Sequence, residues 1–276
     1  MPDFAPVNRL SPRMRELERR LDLIREKGAP FLVENYGSVR HAGRDFALHR
    51  VLVGSLEKPR VAILAGFHRH EPAGVNGVLD LLEHDASTFI KHLTLEVYPC
   101  VNPSGYEGGT RMTMAGVDLN RQFGPRSDVP EVVALLRSLA SYPKRYLAVL
   151  DNHQDVEEAD WKYPGPTPDC FYLYASAPPG DHFAADIVAS LPAESVFRGD
   201  NVYGDRCING VIDSTANLAS SPYAQSCDLE QHMFREDRAI RCLAFETPGS
   251  WPLDKAASLH RTAITSALRL LVTTKI

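Results

Sequence analysis

The stretch Val61–Glu71, VAILAGFHRHE, joins a short apolar run to two side chains that can bind a metal ion. The run VAILAG carries no polar side chain and predicts a strand buried on both faces, as in a parallel sheet. His68 follows this strand, and Glu71 comes directly before a helix that begins at Pro72. A strand, a turn with reactive side chains and a helix together indicate an α/β fold.

Two later strands run into reactive residues in the same way. The strand at Tyr146–Leu150, YLAVL, is followed by Asp151–His153, and the strand at Cys242–Phe245, CLAF, is followed by Glu246. In open α/β sheets, binding sites form outside the carboxyl ends of the strands. We therefore expect these segments to converge on one site.

The rest of the chain alternates strands with amphipathic helices. Helices are predicted at about 12–27, 72–82, 128–139, 183–191 and 254–271, and further strands at 30–36, 46–53, 93–101 and 171–175. This order predicts a mixed, largely parallel central sheet with helices on both faces. Since no change in composition marks a linker, residues 1–276 are expected to form a single domain, with the N-terminal helix packed on it.

Composition excludes several classes of partner. The chain has 276 residues and a formal net charge of −5, so it lacks the basic surface typical of nucleic-acid binding. No apolar run approaches the ~20 residues that span a bilayer, and the N-terminus lacks the apolar core of a secretory signal. The five cysteines form no C-x-x-C pair, which favours reduced thiols and a cytoplasmic location.

His68, Glu71 and His153 form a candidate metal site. Two histidines, one glutamate and an open fourth position are typical of catalytic zinc, which lowers the pKa of bound water. A carboxylate such as Glu246 could then act as general base. His-x-x-Glu also occurs by chance, but the position of the residues after strands favours a site. Asp151 is interpreted as a partner that orients a ligand histidine, and His70 as a residue outside the ligand set.

The segment Val101–Pro125, VNPSGYEGGTRMTMAGVDLNRQFGP, is predicted to be a loop over the site. It carries Arg111, Asn120 and Arg121. Guanidinium groups suit a carboxylate or an oxyanion that develops beside a metal. For Arg111 the alternative is a solvated surface arginine.

Five motifs in order, AGFHRHEPAG, VNPSGYEGGTR, GVDLNRQF, LDNH and AFETPG, resemble the zinc carboxypeptidase family of carboxypeptidase A-like metallopeptidases. The resemblance runs from about residue 35 to residue 250 and is to the small bacterial-type members without a pro-segment. It implies a zinc carboxypeptidase-like fold and one zinc ion per chain on His68, Glu71 and His153. Glu246 would be the base and proton shuttle.

The resemblance also implies residues that bind substrate. Arg111 would stabilise the tetrahedral oxyanion, and Asn120 and Arg121 would hold the C-terminal carboxylate of a peptide. Tyr223 lies 23 positions before Glu246, near the place of the family's mobile tyrosine, although it could be an ordinary loop residue. Residues that line the side-chain pocket are expected between positions 206 and 232.

The favoured function is that of a metallocarboxypeptidase, which removes a C-terminal amino acid through a zinc-activated water. A first alternative is an N-acyl amino acid deacylase of the succinylglutamate desuccinylase/aspartoacylase type, which shares His-x-x-Glu, Asp-Leu-Asn-Arg and a late histidine. Those enzymes continue into a β-rich domain, whereas the 30 residues after Glu246 indicate one amphipathic helix and so favour the peptidase. Either substrate has a free carboxylate. A second alternative is a non-catalytic metal- or peptide-binding relative. The presence of Glu246 and Arg111 argues against it.

The regular elements and the residues described

The computed structural model describes residues 10–68, 70–109, 111–124, 127–156, 167–215 and 227–273. The helices in these ranges are α1 Pro12–Glu26, α2 Pro72–His84, α3 Pro103–Gly108, α4 Pro130–Ala140, α5 Phe183–Ala189, α6 Leu229–Arg235 and α7 Leu253–Thr273. The strands are β1 Phe31–His41, β2 Arg44–Val53, β3 Arg60–Ala65, β4 Thr94–Tyr98, β5 Ala148–Asp155, β6 Tyr172–Ser176, β7 Asn201–Val202, β8 Asp205–Ile208, β9 Val211–Asp213 and β10 Cys242–Pro248. Within these ranges, every helix is too short or too polar to cross a membrane.

Overall fold

One mixed sheet runs through the molecule in the order β1-β2-β4-β3-β5-β10-β6-β9-β8-β7. The four central strands β4, β3, β5 and β10 are mutually parallel. Strands β1 and β2 on one side, and most pairs beyond β10 on the other, are antiparallel. The predicted mixed α/β sheet is thus confirmed, and its parallel part is the centre, where the three apolar strands of the site lie side by side.

Tight hairpins produce the antiparallel margins. Each of the turns Ala42-Gly43, Tyr203-Gly204 and Asn209-Gly210 joins two paired strands and has positive φ at both residues. Two-residue turns of this kind match the right-handed twist of the flanking strands, and Asn-Gly is their most favoured sequence. The strands β7, β8 and β9 were not predicted from the sequence, because they are too short to show a clear alternation of apolar and polar residues.

The sheet buries both of its faces against helices. Along β3, Val61, Ile63 and Ala65 belong to one apolar core with side chains of α1, α2, α5 and α7. The alternate residues Ala62 and Leu64 belong to a second core with side chains of α4 and α6. All five are fully buried, and each large aliphatic side chain buried in this way stabilises the fold by about 1.5–3 kcal/mol. The prediction of helices on both faces is confirmed.

The segment Val101–Pro125 contains more regular structure than the loop that its glycines predicted. Asn102 caps helix α3, since its side chain accepts a hydrogen bond from the Gly105 N–H, and Pro103 occupies the first helical position. A 3₁₀ turn follows at Leu119–Arg121. The prediction of a loop throughout was wrong, because a capping residue and a proline suffice to start a helix too short to show periodicity.

Helix α2 lies unusually close to strand β5. A Cβ atom at Gly74 would lie 2.2 Å from the backbone oxygen of Asn152, so only glycine allows this approach. The contact brings the start of α2, and with it Glu71, against the part of β5 that carries His153. Local sequence and tertiary packing therefore combine to position the candidate ligands.

Candidate metal and active site

The side chains of His68, Glu71 and His153 meet as the sequence predicted. The Nδ1 atom of His68 lies 2.6 Å from Glu71 Oε1, and the Nδ1 atom of His153 lies 2.7 Å from Glu71 Oε2. All three residues are buried, and their possible ligand atoms lie within 4.8 Å of one another. Two imidazole nitrogens thus face the two oxygens of one carboxylate.

Two aspartates hold the outer nitrogens of these imidazoles. His68 Nε2 lies 3.0 Å from Asp118 Oδ1, and His153 Nε2 lies 2.9 Å from Asp151 Oδ2. A carboxylate that accepts the Nε2–H leaves the Nδ1 lone pair free for a metal and fixes the ring orientation. The structure therefore agrees with the interpretation of Asp151. Asp118 was missed, although it directly precedes Leu119-Asn120 in a quoted motif.

The electrostatics of this cluster suit a divalent cation. Burial by itself would raise the pKa of Glu71, but the imidazoles of His68 and His153 hold it well below its usual value. Burial would lower the pKa of His153, but the carboxylates of Asp151 and Glu71 raise it well above its usual value. The buried carboxylates thus favour a positive charge at this cluster, whether a proton or a metal cation carries it. Two nitrogens and a carboxylate are a donor set that zinc accepts, so the residues present fit the metal.

Glu246 extends into the same cavity from strand β10. It is opposite His153 in the parallel pairing of β10 with β5, and it lines the cavity together with all three candidate ligands. Burial raises the pKa of Glu246 well above its usual value; His153 lowers it, and the nearby carboxylates of Glu71 and Asp155 raise it further. A carboxyl group with a raised pKa beside a metal site can both accept and donate a proton near neutral pH.

Arg111, Asn120 and Arg121 also line this cavity, which has a volume of about 320 Å³. Arg111 Nε donates to Asp118 Oδ2 at 2.9 Å, and Arg121 Nη1 donates to the backbone oxygen of Asn120 at 2.7 Å. The side-chain oxygen of Asn120 accepts from the Leu229 N–H at 3.1 Å. The structure thus brings all three predicted residues to the cavity of the candidate metal ligands, and it shows that Asn120 also connects this segment to helix α6.

Three tyrosines of the described residues line the cavity, Tyr172, Tyr174 and Tyr203, and none of them is the predicted one. Tyr223 lies outside the described residues. The hydroxyl groups of Tyr172 and Tyr203 donate to Asp155 Oδ2 at 2.7 and 2.9 Å. Strand β5 continues through Asp155, and the side chain of Asp155 is buried.

His70 lies beside the cluster. Its ring stacks on that of His68 with centroids 5.8 Å apart, and its Nε2 atom lies 3.8 Å from Glu71 Oε1. This agrees with the expectation that His70 stands next to the ligand set.

Further cavity residues come from helix α6 and strand β6, and the sequence did not single them out. They are Asp228, Glu230, Gln231, Tyr174 and Ser176. Burial raises the pKa of Glu230 well above its usual value, and the carboxylates of Asp151 and Asp228 raise it further. Asp228, which caps α6, and Glu230 and Gln231 within it fall within positions 206–232, where pocket residues were expected, but nothing in their spacing distinguished them from their neighbours.

Comparison with known families gives one match, which covers part of the chain. The family described as the succinylglutamate desuccinylase/aspartoacylase catalytic domain matches residues 57–163. The matched region contains His68, Glu71, Arg111 and the segment through His153, and ends before Glu246. A comparison with curated proteins found no match.

Comparison with solved structures gives matches over nearly the whole chain. A provisionally named metallopeptidase from Shewanella amazonensis SB2B is 20% identical with a TM-score of 0.76, over 95% of this chain and 94% of that one. A metallo-carboxypeptidase from Burkholderia cenocepacia is 16% identical with a TM-score of 0.68, over 93% and 68% of the two chains. One from Pseudomonas aeruginosa, in complex with (2-guanidinoethylmercapto)succinic acid, is 18% identical with a TM-score of 0.63, over 93% and 68%.

These likenesses define the architecture. The chain has the zinc carboxypeptidase-like fold, a mixed α/β sheet with helices on both faces. The resemblance drawn from the five motifs is thus confirmed at the level of the fold.

Proposed function

We propose that this protein is a zinc-dependent hydrolase that cleaves an amide bond in a substrate with a free carboxylate. The observation that carries this proposal is the arrangement of His68, Glu71 and His153, with both Nδ1 atoms directed at one carboxylate and Glu246 in the same cavity. The zinc carboxypeptidase-like fold and the family match over residues 57–163 support it. One zinc ion per chain would be held by the two histidines and Glu71.

Bound zinc supplies Lewis acidity, which polarises the substrate carbonyl and lowers the pKa of a water molecule. Glu246 accepts a proton from the attacking water and passes it to the nitrogen of the leaving amine, for which its raised pKa is suited. The guanidinium of Arg111, which Asp118 holds at the cavity, stabilises the negative charge that develops on the carbonyl oxygen. Arg121 binds the free carboxylate by charge-assisted hydrogen bonds.

The first candidate reaction is release of a C-terminal amino acid from a peptide. Likeness to metallo-carboxypeptidases over more than nine-tenths of the chain supports it. The Pseudomonas aeruginosa protein was solved with a succinic acid derivative, so a relative of this fold binds a carboxylate-bearing ligand. The second candidate is hydrolysis of an N-acyl amino acid, which the family match over residues 57–163 supports. Both reactions use the same metal, base and carboxylate-binding residues.

A single panel of substrates separates the candidates. Zinc-loaded protein is given a peptide with a free C-terminus, the same peptide amidated, and the N-acetyl and N-succinyl derivatives of its terminal amino acid. Cleavage of the free peptide and poor cleavage of the amide support the carboxypeptidase, whereas turnover confined to N-acyl amino acids supports the deacylase. Equal rates on free and amidated peptides would contradict a carboxylate-dependent enzyme.

A sample that binds zinc but hydrolyses none of these compounds would instead indicate a non-catalytic binding relative. We also propose a cytoplasmic location, because all five cysteines are free thiols.

A further inference from the structure

Asp155 is the last residue of strand β5 and lies at one end of the cavity, where two tyrosines hold it. It is 5% exposed and lines the cavity together with the candidate metal ligands. The hydroxyl groups of Tyr172 and Tyr203 donate to its Oδ2, and that of Tyr203 also lies 3.0 Å from its Oδ1. Burial raises the pKa of Asp155, whereas the two hydroxyl groups lower it because they stabilise the ionised form. The two tyrosines therefore hold a carboxylate in the cavity.

This carboxylate has capacity for a ligand. A carboxylate can accept about four hydrogen bonds, and among the side chains that the structure describes two hydroxyl groups donate to Asp155. Tyr203 belongs to the turn between β7 and β8 and has positive φ there, where Asn, Asp or Gly is the favoured residue. The contact with Asp155 gives a reason for a tyrosine at this position. Because a buried carboxylate is stabilised by positive charge, a cationic hydrogen-bond donor is the ligand group that suits it.

The same end of the cavity carries further negative charge. Asp205 of strand β8 and Tyr174 of strand β6 line the cavity. Burial raises the pKa of the Tyr174 phenol, and three carboxylates raise it further, those of Glu246, Asp205 and Asp155. The three carboxylates therefore lie near one phenol group. Their negative charge adds to the attraction of Asp155 for a cation.

The group proposed above to bind the substrate carboxylate lies on the other side of the metal cluster. Arg121 follows Asn120, whose Nδ2 lies 3.2 Å from His153 Nε2. Asp155 comes two residues after His153 in strand β5, so both side chains point to the same face, about 6.6 Å apart along the strand. The cavity therefore offers a cation for one end of a substrate and a carboxylate for the other, with His153 between them.

A dipeptide carries its charges in this arrangement. Two extended residues span about 7 Å, with an ammonium group at one end, a carboxylate at the other and the scissile amide between them. When the carboxylate lies at Arg121 and the ammonium at Asp155, the amide lies beside the candidate metal ligands and Glu246. An ammonium group donates three hydrogen bonds, which matches the free capacity of the carboxylate. The cavity volume of about 320 Å³ is at the lower end for ligand sites, as a short substrate requires.

We propose that Asp155 binds the N-terminal ammonium group of a dipeptide substrate and so determines specificity for dipeptides. Tyr172 and Tyr203 are positioning residues that hold its carboxylate. The proposal rests on the proposed hydrolase function and specifies the class of substrate: water adds across the one amide bond, and two free amino acids are released. A dipeptide fits both candidate reactions, because it is a peptide with a free C-terminus and also an amino acid acylated on its nitrogen.

The decisive comparison is between an alanyl dipeptide and the N-lactoyl derivative of the same terminal amino acid. The two have nearly the same shape, but a hydroxyl group replaces the ammonium group in the second. We expect kcat/KM of zinc-loaded protein to be at least about tenfold higher for the dipeptide, the effect of a charged hydrogen-bonded pair. In Asp155→Asn the ratio should fall toward one. Asp200→Asn, at an exposed position before β7, is the matched control and should keep the wild-type ratio.

Binding separates this proposal from the proposed function. In zinc-loaded Glu246→Gln, whose turnover should be slow, we expect calorimetry to show the dipeptide binding at least about tenfold more tightly than its lactoyl analogue. Selective binding of the dipeptide without hydrolysis by the wild type would support the ammonium site and contradict the hydrolase. Hydrolysis of both compounds at equal rates would contradict the ammonium site and leave the hydrolase supported. The wild-type rates are independent of whether the Asp155 variant folds.

Discussion

Oδ2 of Asp151 lies 2.9 Å from Nε2 of His153, and both residues belong to strand β5 with their side chains buried. Residues two apart in a strand point to the same face, so the strand itself aligns the carboxylate with the imidazole. The aspartate holds the ring so that Nδ1 faces Glu71, 2.7 Å away. Metal affinity should therefore depend on a residue that does not contact the metal.

We expect Asp151→Asn to weaken zinc binding by about 10- to 100-fold, as is typical when the carboxylate partner of a ligand histidine is lost. The affinity is measured by competition with a chromogenic chelator. Asp186→Asn, at an exposed position of α5, is the control and should bind zinc as the wild type does. An unchanged affinity in Asp151→Asn would show that the rest of the site alone fixes the orientation of His153.

The ligand assignment predicts about one zinc per chain in the purified protein, and loss of that zinc in His68→Ala and in His153→Ala. Each substitution removes one of the two nitrogens that face Glu71. Metal content after dialysis is measured by elemental analysis, with exposed His92→Ala as control. If both variants kept full zinc, a different ligand set would be required, and His70 would be the next residue to test.

The central fold and the convergence of the candidate metal ligands could be predicted because apolar strands are easy to recognise and reactive residues stand at their ends. Strands β3, β5 and β10 contain continuous apolar runs, and they lie side by side in the sheet. The structure differs mainly in extent, since β5 and β10 continue through His153 and Glu246 rather than ending before them. The sequence Asn209-Gly210 is a hairpin signal between two short strands, and the prediction did not use it.

Other parts of the site depend on tertiary contacts that no local sequence pattern predicts. Asp118 directly precedes a 3₁₀ turn, and Glu230 lies in a helix of two turns. Both elements are too short to show a helical period of apolar residues. Their importance arises from the residues beside them: Asp118 lies next to His68, and Glu230 lies next to Asp151 of strand β5. The role of Tyr223 stays a prediction, because that residue lies outside the described part of the chain.

If Glu246 is the general base, Glu246→Gln should retain zinc and native fold while kcat falls by at least ~10²-fold, the lower end for general acid–base catalysis. Glutamine keeps the shape of the side chain but cannot accept the proton of the attacking water. Activity is measured on the substrate found in the panel, with zinc content determined on the same sample. Unchanged turnover would assign the proton transfer to another cavity carboxylate, of which Asp155 is the nearest in sequence to the ligands.

Arg121 is expected to determine the preference for a free carboxylate. In Arg121→Ala, kcat/KM for the free substrate should fall by about thirtyfold, which corresponds to ~2 kcal/mol for a lost charged hydrogen bond, while the amidated substrate changes little. Zinc should remain bound, because Arg121 is not among the candidate ligands and its Nη1 donates to the backbone oxygen of Asn120. Exposed Arg137→Ala is the control. An equal loss on both substrates would indicate that Arg121 acts in catalysis or folding rather than in carboxylate recognition.

Stability should fall in acid because of His260, a fully buried residue of α7. Its Nδ1 lies 3.1 Å from Asn152 Oδ1 and its Nε2 lies 3.0 Å from Thr247 Oγ1. Burial lowers the pKa of His260 to about 3, whereas the unfolded chain has an ordinary pKa near ~6.5. Between these two pKa values the unfolded chain binds a proton at His260 and the folded protein does not. As the pH falls from about 6.5 toward 3, this group therefore reduces the free energy of unfolding by up to about 1.4 kcal/mol per pH unit. The free energy of unfolding of metal-free protein is measured in urea at pH 7.5 and at pH 5. The loss of this free energy on acidification should be smaller in His260→Gln than in the wild type or in the control His92→Gln. Equal losses in all three proteins would assign the acid sensitivity to other groups.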